Sequence, residues 1–93
     1  MTTYTKATII TYQNSIQQSP EAWLTAVNQK TQELVLANKT DGQFAFMDEY
    51  NVRRVWADQN AADEWVTFLM ACNEQYGVVV TSVSIIDNPT GTI

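Results

Sequence analysis

Few residues of this chain have the types that do chemistry, and their spacing gives them little to do together. It holds no histidine and a single cysteine, Cys72. The usual zinc ligand sets and a Cys–His nucleophile are therefore both out of reach. General acid–base work would fall to carboxylates or to tyrosines. The carboxylates include two tandem pairs, Asp48-Glu49 and Asp63-Glu64, and sequence neighbours do not converge on one face of a helix or strand. They read as solvated surface rather than as a metal site or an acid/base dyad. No Gly-rich phosphate loop, GxSxG elbow or CxxC pair occurs. No catalytic residue, no metal ligand and no cofactor is assigned.

Four residues remain where a ligand would be sought. Arg53 and Arg54 are adjacent on an expected strand, so they point to opposite faces. Arg54 is the candidate clamp for a carboxylate or phosphate. The competing reading is an exposed arginine pair balancing Asp48, Glu49 and Asp58. Trp56 and Asp58 end the same strand and would line a small pocket with Tyr12, Asp58 orienting a polar group. Against that, capping of the following helix accounts for Asp58 by itself. Trp23, Trp65 and Cys72 lie on apolar helical stripes and read as core.

Composition narrows the partners. At 93 residues with 45% hydrophobic content the chain is expected to form one globular domain. A domain of this size buries roughly 60–68% of its unfolded surface and gains from an oligomeric partner. The net charge is -5, with only Lys6, Lys30, Lys39, Arg53 and Arg54 as cations. That inventory is too thin and scattered to neutralise phosphates, so neither nucleic acid nor an anionic membrane is an expected partner. A lone cysteine excludes an intrachain disulfide, and no apolar run approaches transmembrane length. The opening residues lack the apolar core of a signal peptide, so the Asn38-Lys39-Thr40 sequon is expected to stay unused. The expected location is the cytoplasm, that of a host cell if the chain is viral.

The elements that must position these residues follow from periodicity. Tyr4 to Tyr12 is rich in Thr, Ile and Tyr and predicts a strand. Ser19-Pro20-Glu21 predicts a helix start, with Ser19 as cap, and Trp23, Ala26, Val27, Leu34 and Ala37 share a face to about Asn38. A competing reading makes Leu34-Val35-Leu36 a strand with a hairpin turn at Asp41-Gly42. Strands follow at 43–47 and 52–56, joined by the polar loop Asp48-Glu49-Tyr50-Asn51. A second helix at 60–76 carries Trp65, Phe68, Leu69, Cys72 and Tyr76 at i, i+3, i+4, i+7 and i+11, with Asp58 or Asn60 as cap and Asp63-Glu64 in its first turn. Gly77 stops it, a strand fills 78–86, and 87–93 forms a tail.

The order β-α-β-β-α-β predicts an α+β, ferredoxin-like sandwich: a four-stranded antiparallel sheet with two helices on one face. The other face should then alternate to polar residues. Strict alternation instead puts Val79, Val83 and Ile85 on one side of the last strand and Val78, Val80 and Ile86 on the other. Two helices cannot cover both, and an uncovered apolar face marks an interface. A homodimer or higher oligomer, formed through Val78, Val80 and Ile86, is the expectation. Short strands and edge positions that absorb the excess are the alternative. The leading functional expectation is thus a soluble, self-associating interaction module without enzymatic activity. In element order and length the chain also looks similar to the dimeric α+β barrel group, which includes cofactor-poor monooxygenases and ligand-binding regulatory domains. That resemblance would imply a small-molecule site at Tyr12, Arg54, Trp56 and Asp58.

Overall fold

The structure, a computed structural model, describes residues 3–14, 18–77 and 79–88. Val78, residues 15–17 of the first connection and residues 89–93 of the expected tail lie outside the described residues. Six elements follow in order: β1 (Lys6–Tyr12), α1 (Glu21–Leu36), β2 (Ala45–Phe46), β3 (Asn51–Trp56), α2 (Gln59–Tyr76) and β4 (Val80–Asp87). The strands form one sheet in the order β2-β3-β1-β4, antiparallel at every pairing. The α+β class is therefore as expected.

Pairing fixes which residues share a face. Thr8 lies between Arg54 and Ile85, and Ile10 between Val52 and Val83. These rows carry the core: Ile10, Tyr12, Val52 and Trp56 pack against Trp23, Val27 and Leu34 of α1 and against Trp65, Leu69 and Cys72 of α2. Both apolar helical stripes are thus spent on one side of the sheet. The opposite rows, Ala7–Val55–Ile86 and Ile9–Arg53–Ser84, form the open face.

Helix ends show where local chemistry decides. Asp58 caps α2, its Oδ1 accepting from Ala61 N at 2.8 Å. Because α2 starts at Gln59, Asp63 and Glu64 fall beyond its first turn, and no acidic residue lies in it. Ser19 is not the cap of α1; Pro20 holds that position without a side-chain hydrogen bond. At the other end Lys39 N bonds Leu34 O and Asn38 N bonds Val35 O, with Asn38 left-handed at φ 59°. This pattern closes α1 and rules out the hairpin reading of Leu34-Val35-Leu36. Gly77, at φ 79° and ψ 178°, ends α2 in a conformation essentially reserved for glycine.

Strand β2 is shorter than the expected 43–47 because its neighbours spend their backbone elsewhere. Gln43 N donates to the Asp41 carboxylate at 2.9 Å, and the N–H groups of Met47 and Asp48 both turn into Asn51 O. Asp48 organises the hairpin, accepting from Tyr50 N and Asn51 N, and these hydrogen bonds hold its carboxyl below the ordinary range.

Gly42, between α1 and β2, has little room for a side chain. It sits at φ 80°, and a Cβ there would stand 2.8 Å from Val35 Cγ2. Gly42→Ala is expected to destabilise by about 1–3 kcal/mol through left-handed strain and displacement of Val35. Gly77→Ala, with open space around its Cβ position, should cost about 1–2 kcal/mol from backbone strain alone. Urea unfolding of the two variants measures the difference.

Candidate functional site

Of the candidate side chains, Arg54 shares one face of the sheet with Tyr12 and Trp56, inside the core. Its position in the middle of β3, opposite Thr8, turns it toward the helices. The residue is only 2% exposed. Its guanidinium stacks 3.7 Å from the Phe44 ring centroid and lies 4.9 Å from Trp65 and 5.9 Å from Trp56. Nη1 donates to Thr31 Oγ1 at 2.9 Å, while Nε and Nη2 make long contacts of 3.4 and 3.5 Å to Gln43 O and Gly42 O. No carboxylate pairs with it among the described residues.

An unpaired buried cation is costly in a low-dielectric interior. Ring quadrupoles and neutral oxygens compensate Arg54 instead. Burial pushes its pKa down to about 10, while Tyr12 and Asp41 act in the opposite direction. A guanidinium so placed is still fully charged at neutral pH.

Tyr12 and Trp56 share the same face, and neither is available to a ligand. Burial raises the Tyr12 phenol to about 12. Its hydroxyl has no hydrogen-bond partner among the described residues, nor has Trp23 Nε1, whose ring meets Tyr12 edge-on at 5.5 Å. Trp56 is fully buried, and its Nε1 donates to Thr8 Oγ1 at 2.9 Å. Asp58 is committed to its cap. The structure therefore brings three of the four candidate residues onto one layer and leaves Asp58 outside it.

Two surface pockets adjoin this layer without exposing it. One, of about 350 Å³, is lined by Gln13, Asn14, Pro20, Tyr76 and Val79 among others. The other, of about 390 Å³, lies between the end of α1 and Gly42, lined by Thr31, Gln32, Val35, Leu36 and Gly42. Neither is lined by Tyr12, Arg54, Trp56 or Asp58. Among the described residues no cluster of three potential metal ligands exists, and no helix is long and apolar enough to cross a membrane. Burial also pushes the Cys72 thiol up, in keeping with a packed core residue.

The open face differs from the alternation expected for it. Tyr12 pairs with Val80 while Thr11 pairs with Ser82, so Thr81 is an extra residue in β4. That bulge returns Val80 to the helix side, where it is 2% exposed and joins the core. Asn73 of α2 fastens it there, bonding Val80 O at 2.7 Å and Val80 N at 3.0 Å. Val80 is thus no interface residue in this fold. Ile86 does lie on the open face, opposite Ala7, and is 39% exposed. Arg53 spans the same face to bond Asn88 Oδ1 at 2.8 Å, crossing the buried row of Ala7 and Val55.

The cations are all directed inward or to partners. Lys6 pairs with Asp87, Lys30 and Lys39 both reach Glu64, at 3.2 and 2.8 Å, Arg53 bonds Asn88, and Arg54 is buried. Lys39 and then Lys30 hold the Glu64 carboxyl below its usual range. Comparison with protein-family models, curated proteins and solved structures found no match.

The Arg54–aromatic stack was not legible in the sequence because Phe44, in the chain before β2, and Arg54 on β3 are joined by no spacing rule. Its available signal was the i, i+2 aromatic spacing of Phe44 and Phe46, at and just before the strand beside β3. Arg54→Ala is expected to lose about 3 kcal/mol through the cavity and the lost stack. Arg54→Met, which keeps the stem and removes the charge, should lose less than half of that. Tyr12→Phe removes a buried unpaired hydroxyl and should leave stability unchanged or raise it by about 1 kcal/mol. Chemical denaturation of the three variants reads all of these values.

Proposed function

We propose that this chain is a non-enzymatic interaction module that self-associates through the open face of its sheet. The observation that carries this reading is the filled interior: Tyr12, Arg54 and Trp56 are each at most 2% exposed. Surfaces, rather than a cleft, are then what the fold offers to other molecules. The lone buried Cys72 fits a reducing, cytoplasmic setting.

For self-association the support is Ile86 with the half-buried Ile9 beside it, flanked by the small residues Ser82 and Ser84. Small residues along β4 let a second sheet approach closely. The contact is narrower than alternation suggests, because Val80 turns inward and Arg53–Asn88 spans Ala7 and Val55. A modest, concentration-dependent dimer is the expected form.

A small-molecule site of the dimeric α+β barrel type would need Arg54 uncovered. Phe44 lies directly over it, so a carboxylate ligand would have to displace that ring.

Light scattering of the wild-type chain is expected to give a dimer mass that falls toward the monomer on dilution. Ile86→Lys places a charge at the centre of the contact and should give the monomer throughout. A wild-type chain that stays monomeric at the highest soluble concentration contradicts self-association.

A further inference from the structure

We propose that the β2 edge receives an extended, cationic segment of a partner polypeptide as an added strand. Among the described residues, five of the seven exposed large hydrophobic ones, Val35, Leu36, Phe46, Met47 and Tyr50, belong to α1's end and the β2–β3 hairpin. Leu36 is 83% and Phe46 60% exposed. The groove of about 390 Å³ against Gly42 continues this apolar strip along the end of α1.

The backbone beside that strip is open. Met47 N donates across to Asn51 O at 2.9 Å, so antiparallel alternation turns the N–H and C=O of Phe46 away from β3. Edge strands are ordinarily guarded by shortness, charge (lysine above all), proline or a bulge. Residues 41–50 contain no lysine, arginine or proline. β2 is short, at two residues, but an edge free of lysine and proline and flanked by apolar anchors offers a start for strand addition.

Charge selects the occupant. Asp41 precedes β2 in the chain, and Asp48 with Glu49 follows it. The lysines nearest in sequence, Lys30 and Lys39, are turned to Glu64 on α2. A segment with apolar alternate residues and a Lys or Arg near each end complements this surface. A second copy of the chain does not. Twofold antiparallel pairing at this edge would set Asp41 of one copy beside Asp48 and Glu49 of the other. The edge is separate from the open face, so the inference does not depend on self-association there.

The probe is a fluorescein-labelled heptapeptide, Lys-Val-Thr-Val-Thr-Val-Lys, compared with the same peptide bearing Glu at both ends. Fluorescence anisotropy is recorded with the wild-type chain, with Phe46→Pro, which removes the outward N–H, and with the double variant Asp41→Asn/Glu49→Gln. The Lys-ended peptide should bind at least about tenfold more tightly than the Glu-ended one. Its binding should weaken by a similar factor between about 0.01 and about 1 M salt, as the Debye length falls from about 30 to about 3 Å. Each variant should weaken it about fivefold or more. Thermal melting confirms that the variants fold; if Phe46→Pro does not, the double variant decides.

The same titration in the Ile86→Lys background reads segment binding apart from self-association. No binding of the Lys-ended peptide, equal binding of the Glu-ended one, or binding that the folded variants leave intact overturns the proposal. So does a wild-type dimer that Phe46→Pro dissociates, which would place a second copy at this edge.

Discussion

One buried guanidinium ties the parts of this fold together. Arg54 lies on the helix side of β3, where Phe44 from the chain before β2, Trp65 from α2 and Thr31 from α1 all meet it. Removing an arginine from water without a carboxylate beside it is unfavourable unless the site supplies compensating electron density. Here the compensation comes from ring faces and neutral oxygens, each delivered by a different element. The cation therefore specifies how both helices and the approach to β2 sit on the sheet. Trp56, donating to Thr8, secures the next position along the same strand.

That constraint also accounts for most of the chain's reactive side chains. The side chains with the greatest chemical capacity, Arg54, Tyr12 and Trp56, are used to build the interior. Cys72 is packed beside them, and Asp58 is committed to a helix cap. What remains outside is a surface of two kinds. The accessible part of the open face is mostly small and polar, with Ile9 and Ile86 as its larger apolar residues, while Ala7 and Val55 are buried and Arg53–Asn88 bridges part of it. The β2 flank is apolar and acid-edged, with its nearby lysines drawn toward Glu64. The proposed contacts with other polypeptides rest on these two surfaces.

Much of the architecture was legible in the sequence because it follows from local periodicity. The stripe through Trp65, Leu69 and Cys72, the left-handed stop at Gly77 and the cap at Asp58 each depend on neighbours a few residues away. What the sequence could not reveal depends on contacts between distant segments. Val80 looked outward under strict alternation, but one extra residue at Thr81 reverses it, and the side chain that fixes the reversal comes from Asn73 in α2. Arg54 was picked out as a candidate anion clamp, and it lies buried in the core. Whether it faced solvent or the core depended on Phe44 and Thr31, which no spacing rule connects to it. Apolar residues could likewise be counted in the sequence, but their gathering along β2 depends on the sheet order.

The central claim, that Arg54 is sealed within an aromatic enclosure, is tested most directly by NMR of its own side chain. The account predicts an Arg54 Nε–H that exchanges with water far more slowly than that of Arg53, and side-chain protons shifted upfield by the Phe44 and Trp65 rings. An Arg54 Nε–H that exchanges as fast as in an unfolded peptide, with unshifted side-chain protons, would contradict it and return the interior to consideration as a ligand site.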